Sequence, residues 1–236
     1  MISTSQIEVL KRVEKLAFKE ELALYLVGGA VRDEILNIPF KDFDFVFQGD
    51  SSKFALILAT EFACSFKEFK NFFTAKVFIN KEDIAEVDLA SARSEIYESG
   101  GSLPKVTPTS INEDLKRRDF SINSMAIRLE DFLTCIQSGI SLESKIIDQF
   151  SGLEDLRNHK IKVLHSKSFL DDPTRIFRSI RYAARITGVL ELNTEKLLQE
   201  ALHCKALDSI SKFRIFNELK NILSEKEYVS ALKHLD

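Results

Sequence analysis

The pattern of apolar and polar positions divides the chain into two textures. Up to about residue 135, short apolar or alternating runs lie between turn-forming residues. LALYLVGGAV (22–31) reads as a short apolar strand that ends at Gly28-Gly29, and VRDEIL as the helix after it. FDFVF is a second strand and FALILATEFA a helix. TAKVFIN and IAEVDLA alternate on both sides of Asn80–Asp83 and read as paired strands around a turn. ESGGSLPKVTPTS (98–110) is the longest Gly/Pro/Ser/Thr-rich stretch and reads as a mobile loop. A helix over Ile111–Arg118 and a strand over Ser124–Leu129 close this half. The first residues, MISTSQIEVLKRVEKLAFKE, read as a Ser/Thr-capped amphipathic helix with Ile7, Leu10, Val13 and Ala17 on one stripe.

From about Phe169 onward, apolar residues recur at three and four and glycine nearly vanishes, so several helices are expected. No internal repeat is visible. The pattern predicts an α+β chain, an α/β head followed by a helical segment, joined near residues 135–165.

Composition narrows this little. With 236 residues and 44% hydrophobic positions, the chain can bury a core in one or two domains. No apolar run approaches the roughly 20 residues a bilayer span needs, and the start lacks the centre and cleavage site of a signal peptide, so no membrane partner is expected. Cys64, Cys135 and Cys204 are odd in number and scattered, which argues for a reducing, cytoplasmic setting and against zinc. His159, His165, His203 and His234 form no ligand spacing and read as structural or exposed. The net charge of −3 does not announce a nucleic-acid partner, so any such contact needs a local basic surface.

KDFDFVF (41–47) raises the first chemical question. On a strand, Asp42 and Asp44 point to the same face with Cα atoms roughly 6–7 Å apart, while Phe43, Phe45 and Phe47 point into a core. Two carboxylates so placed suit two magnesium ions about 3.5–4 Å apart, the spacing that clamps attacking and leaving oxygens in phosphoryl transfer. Asp88 in EVDLA, on another strand, offers a further oxygen. Taken alone, the DxD spacing favours a merely solvated strand face. Gly28-Gly29 shifts that balance, because a strand ending in Gly-Gly before a helix lets backbone N–H groups approach a triphosphate. A lone Gly-Gly is otherwise an ordinary turn. Arg32 and Asp33 open the helix, and dipole complementarity accounts for Asp33.

LVGGAVRDEIL…KDFDFVFQG resembles the first motif of the tRNA nucleotidyltransferase and bacterial poly(A) polymerase family, in its bacterial/eukaryotic class (class II). ASARSEIYESGGSLPKV and EDLKRRDFSINSMAI are similar to its flexible-loop region and RRDFTINA motif. IIDQFSGLEDLRNHKIKVL resembles the segment linking head and neck, LDDPTRIFRSIRYAAR the E/D-D-x-x-R neck motif, and SISKFRIFNELKNIL the ERIxxEL motif. All five occur in order and cover nearly the whole chain.

The resemblance implies a DNA polymerase β-like nucleotidyltransferase head (palm) over 1–135. A linking segment and all-α neck would follow over 136–236, with the family's body and tail domains absent. It implies a template-independent enzyme that adds C and/or A to tRNA 3′ ends from CTP and ATP and releases pyrophosphate. A poly(A) polymerase or a non-catalytic nucleotide- or RNA-binding descendant is the alternative. Asp42 and Asp44 are then the catalytic metal ligands for two Mg2+ ions, with Asp88 a further ligand or proton acceptor.

Nucleotide contacts are implied for Gly28, Gly29, Arg32, Arg117, Arg118, Asp119 and Asn123, and for Asp172, Arg175, Arg178 and Arg181 of the neck. Arg117 to Asp119 also read as a charged helix end. Asp148 and Gly152 fall on the linking motif, where the implied role is hinge motion. Asp172 reads as a helix N-cap with Pro173 at the first helical position. Arg175, Arg178, Arg181 and Arg185 follow on one helical stripe, which is otherwise a solvated surface. In the family the Asp and first Arg face the pairing edge of the nucleotide. A carboxylate acceptor and a guanidinium donor match the exocyclic amine and ring acceptor of C and A, and mismatch the carbonyls of U and G. Arg185, Lys212 and Arg214 are expected to contact RNA. Asp171, Thr174, Ser121 and Ser124 depart mildly from the family pattern. Phe213 replaces the Glu of ERIxxEL, which removes an expected polar tie in the neck, while Arg214 and Glu218 remain.

Overall fold

A computed structural model describes residues 2–79, 84 and 86–233. It divides into two compact units, one of Met1–Ser94, Val106–Arg117 and Asn123–Gln149, the other of Glu95–Lys105, Arg118–Ile122 and Phe150–Asp236. The expected turn at Asn80–Asp83 and His234 lie outside the described residues. Among the described residues no helix is long and apolar enough to cross a membrane.

The first unit opens with α1 (Thr4–Lys19), held at its start by a reciprocal capping box between Ser3 and Gln6. Its buried face is Gln6, Val9, Leu10, Val13 and Ala17, and Ile7 is only partly covered. Gln6 tolerates burial because its amide donates to the Phe40 carbonyl at 2.7 Å. β1 (Tyr25–Val27) is shorter than the apolar run predicts, because the chain turns at Gly28 into α2 (Gly29–Ile35). β2 (Asp42–Phe47) and α3 (Ser51–Phe62) follow, the helix capped by Asp50, which accepts from Ser52 and Lys53 N–H.

β3 (Ser65–Phe69), β4 (Thr74–Phe78) and β5 (Glu86–Ser91) continue the sheet. β6 (Arg93–Ile96) pairs with β7 (Lys105–Pro108), so four residues of the predicted 98–110 loop are strand and the connection proper is 97–104. α4 (Ile111–Lys116), β8 (Met125–Arg128), α5 (Leu129–Ser138) and β9 (Ile147–Asp148) complete the unit. Sheet order is β3-β4-β5-β2-β1-β8-β9, mixed, with β2 and β5 its parallel pair and the other neighbours antiparallel. β2 sits at the centre, and Phe43, Phe45 and Phe47 are buried as the alternation predicts.

In the second unit come α6 (Gly152–Arg157), β10 (Lys160–Ile161), α7 (Ser168–Asp171), α8 (Thr174–Arg185) and β11 (Val189–Leu190). α9 (Leu192–His203), α10 (Lys212–Leu223) and α11 (Tyr228–Lys233) follow. Phe177, Ile180 and Ala184 of α8 form a core with Ile222 of α10 and Ala231 of α11. The chain is α+β, as the texture of the sequence predicts.

Candidate functional site

β2 carries its carboxylates at the open end of an otherwise buried strand. Asp42 is exposed and Asp44 half-buried, whereas Val46, on the same face, is buried, so that face is solvated only at its start. The parallel register sets Asp42 beside Glu86 and Asp44 beside Asp88. Burial and the adjacent Asp44 push the Asp88 carboxyl up to about 6. Lys76, opposite Asp88 on β4, approaches Asp88 Oδ2 at 3.4 Å and also pairs with Glu86. Among the described residues, no group of three His, Cys, Asp or Glu side chains forms a ready metal cage. Two or three carboxylate oxygens with an open side nevertheless fit magnesium, which keeps waters and takes its remaining oxygens from substrate phosphates. Burial and, after it, the repulsion from Asp44 raise Asp88, and a divalent cation would offset both.

Gly28 requires glycine: φ is 64° and ψ −123°, a conformation L residues rarely adopt. Its N–H donates to Met125 O at 3.2 Å, joining the end of β1 to β8. Gly29 opens α2. Arg32 is buried, its guanidinium held by Asp33 Oδ1 at 2.8 Å and by Asn123 Oδ1. Asp33 therefore does not sit in the first turn as a dipole partner. It is the fifth residue of α2 and the buried counter-ion of its neighbour. Arg32 and Asn123 are brought together by this bond, 91 residues apart in sequence.

The arginine pair divides between the units. Arg117 belongs to the first, where it donates to Arg93 O at 2.9 Å and to Asp114 Oδ1 at 2.7 Å. Arg118 and Asp119 belong to the second, and there Asp119 Oδ2 accepts from Nε and Nη2 of Arg178 at 2.8 and 2.6 Å. Asp119 and the nearby Tyr182 hold the Arg178 guanidinium charged well above its ordinary range against the cost of burial. Tyr182 also receives Nη2 of both Arg178 and Arg181 at 3.1 Å, with both guanidinium groups over its ring. Arg181 Nε is buried, and among the described residues no acceptor reaches it. Ser121 Oγ donates to Asp155 and Ser124 Oγ to the Leu115 carbonyl, so both departures from RRDFTINA are satisfied.

α8 begins at Thr174, one residue later than predicted. Pro173 is the flanking residue, and Asp172 caps from one position further out by accepting the Thr174 N–H at 3.1 Å. Proline's fixed φ allows either placement, and the carboxylate follows the first N–H that lacks an intrahelical partner. Arg175 is buried, with Nη1 on Ser168 Oγ at 2.7 Å. The arginine stripe is thus not solvated as a whole: Arg178 and Arg185 form ion pairs, Arg175 is buried on Ser168, and Arg181 lies against Tyr182. Of the residues expected to touch RNA, Arg185 pairs with Glu225 at 3.0 Å and Arg214 with Asp172 at 2.7 Å, while Lys212 is exposed. Arg214, which the motif keeps, makes a polar tie to Asp172 within the second unit. Phe213 itself is exposed.

Several residues around these positions escaped the sequence reading. Lys76 pairs with Asp88 from a neighbouring strand, and Ser168 holds Arg175. Asp114, fully buried, fixes Arg117 and caps the Arg93 N–H at 3.1 Å. Its spacing of three from Arg117 on α4 is the one local signal that would have revealed a partner.

A family model described as the poly(A) polymerase head domain matches residues 24–162. An A-adding tRNA nucleotidyltransferase of Aquifex aeolicus is 40% identical over 90% of the chain and 24% of its own length. Another, of Halalkalibacterium halodurans, is 36% identical over 100% of the chain and 53% of its own length. Among solved structures, a CCA-adding enzyme in its apo form II superposes with a TM-score of 0.82 at 34% identity, covering 99% of this chain and 53% of that one. The chain thus spans about half or less of the relatives it matches.

Proposed function

The chain belongs to the poly(A) polymerase head-domain family, and from that premise we propose that it adds C and/or A to the 3′ ends of tRNA, without a template, from CTP and ATP. The observation that carries this reading is the row of Asp42, Asp44 and Asp88 on neighbouring strands, with one open side. The terminal hydroxyl of the RNA attacks the α-phosphorus of the nucleotide. A phosphorus–oxygen bond forms to the RNA, the bond to the β-phosphate breaks, and pyrophosphate leaves. Asp42 and Asp44 would hold two magnesium ions, which when bound clamp the attacking and leaving oxygens and offset their charge. Asp88 serves as a further oxygen ligand or takes the proton from the hydroxyl.

Gly28 N–H is engaged by Met125 O, so it is the backbone at Gly29 that a triphosphate can approach, because Gly28 turns the chain there without a side chain. Arg32, fixed by Asp33 and Asn123, positions that turn. Arg117, Arg118 and Asp119 supply donors and an acceptor for phosphate and ribose, and Arg178 orients Asp119. Arg181 retains a buried donor for a phosphate oxygen. Asp172 and Arg175 read the base edge.

The test is incorporation of labelled CTP and ATP into a tRNA lacking its CCA end, with magnesium present. Transfer of C, A or both, lost in Asp44→Ala, is the expected result. Failure of the intact chain to transfer either nucleotide would overturn the proposal in favour of a binding role.

A further inference from the structure

We infer that Arg214 is a positioning residue for base choice: it fixes the direction in which Asp172 presents an acceptor to the base and ties that carboxylate to the glycine tip of the 97–104 connection. The inference rests on the reading of Asp172 as a base-edge reader proposed above.

Arg214 of α10 donates from Nη2 to Asp172 Oδ1 at 2.7 Å. The same oxygen accepts Thr174 Oγ1 at 2.7 Å and Thr174 N–H at 3.1 Å. Oδ1 is therefore saturated, and among the described residues nothing donates to Oδ2. A carboxylate held this way presents one acceptor in a fixed direction, which suits a single exocyclic amine and repels a carbonyl. Turning the carboxylate out of this direction would break three hydrogen bonds at once, one of them charge-assisted. Thr174, at a position where the family often has leucine, adds one of those donors through its hydroxyl.

The other guanidinium nitrogen, Nη1, donates to Gly101 O at 3.0 Å. Gly101 N–H in turn donates to Asp171 O at 3.1 Å. This tip admits no side chain: Gly101 has φ +74°, and a Cβ there would meet Ser209 O at 2.8 Å. A Cβ on Gly100 would meet Leu170 O at the same distance. The tip is seated between the residues preceding Asp172 and the turn before α10, and Arg214 bridges it to the carboxylate. Only a planar guanidinium can reach both acceptors with its directions fixed. A lysine ammonium offers a point charge on a flexible stem.

Arg214→Lys and Arg214→Met are compared with the parent chain by single-nucleotide kinetics with CTP, ATP, UTP and GTP. Hydrogen exchange is followed at the Gly101 amide. The preference of kcat/KM for CTP over UTP should fall about tenfold in both variants, the effect of one misdirected hydrogen bond, with faster exchange at Gly101. A purely structural role would lower kcat for all four nucleotides alike and leave that ratio in place. A ratio unchanged to within about twofold in folded variants overturns the inference.

Asp172→Ala runs in parallel. If it too leaves the ratio intact, the base-reading assignment falls, and the tie is judged on exchange alone. Unchanged protection of Gly101 in Arg214→Met then overturns it. Should Arg214→Met not fold, Thr174→Val removes one donor from the same oxygen without touching α10. A lowered ratio supports the fixed carboxylate and an unchanged one refutes it.

Discussion

Asp44 and Asp88 stand in register across the parallel strands β2 and β5, and Lys76 continues the row on β4, 3.4 Å from Asp88. Three strands thus set two like charges side by side with one cation at the flank. Burial first and Asp44 second push the Asp88 carboxyl up to about 6, and Lys76 works against both. Asp42→Ala or Asp44→Ala should therefore relieve charge crowding and leave the fold intact or slightly firmer. The same change should lower incorporation about 10²-fold or more, because phosphoryl transfer loses electrostatic clamping that the rest of the site cannot replace. Thermal unfolding and magnesium-dependent turnover check the two halves, and near-normal turnover in either variant would sink the metal assignment.

The Arg32 site makes a separate prediction about stability. Its guanidinium and the Asp33 carboxylate are 3% and 4% exposed, so removing Asp33 leaves a buried charge without this counter-ion, although Asn123 still accepts from it. Asp33→Ala should destabilise the first unit by about 3–5 kcal/mol, read from denaturant unfolding. Asp33→Asn, which keeps an acceptor, should lose less. A cost below about 1 kcal/mol for Asp33→Ala would mean that the guanidinium finds water or another acceptor on relaxation.

What the sequence disclosed follows from the range of the interactions involved. The alternation in KDFDFVF placed Phe43, Phe45 and Phe47 in the core, because burial on a strand is a local, period-two property. The second half reads as helices for the same local reason. β3 went unread because SFKEF is a mostly exposed strand with little alternation to report. α5 was hidden behind the apolar strand that runs straight into it at Leu129. The ribbon β6–β7 was submerged in a stretch whose Gly, Pro and Ser content signals a loop. Within the site, the two carboxylates on β2 are legible, but their neighbours are not. Lys76, Asn123 and Arg214 reach their partners over 12, 91 and 42 residues, and nothing in local spacing encodes those meetings.

His165 supplies a pH dependence. Burial, aided by the nearby Arg175 charge and opposed by Asp171, holds its imidazole below the ordinary value of 6.5. The unfolded chain then takes up a proton at higher pH than the folded one. Stability from this group is fully present above 6.5 and is lost as pH falls through 6.5 towards the folded value. Denaturant unfolding at pH ~7.5 and ~5.5 should show His165→Gln losing less stability on acidification than the parent chain. An equal loss in both would place the acid sensitivity elsewhere.

Base choice tests the second unit most directly. Asp172 and Arg175 lie three residues apart across the start of α8, one half-buried and the other buried. Their surroundings make different substitutions informative. Asp172→Ala removes the acceptor and also frees Thr174 and Arg214, so it should cost some stability as well as selectivity. Asp172→Asn keeps an oxygen for Arg214 while turning an amide towards the base. It should invert the preference, accepting a carbonyl where an amine was accepted. Arg175→Ala would strand Ser168, whereas Arg175→Lys keeps the charge and loses the planar donor pair, and so separates recognition from packing. Discrimination of CTP and ATP against UTP and GTP should fall about 5- to 150-fold in Asp172→Ala, the range for one base-edge hydrogen bond left unpaired. KM for the favoured triphosphate should change less, since the proposed phosphate contacts lie at other residues. Selectivity unchanged in Asp172→Ala, Asp172→Asn and Arg175→Lys together would return Asp172 to a helix cap and Arg175 to a buried partner of Ser168.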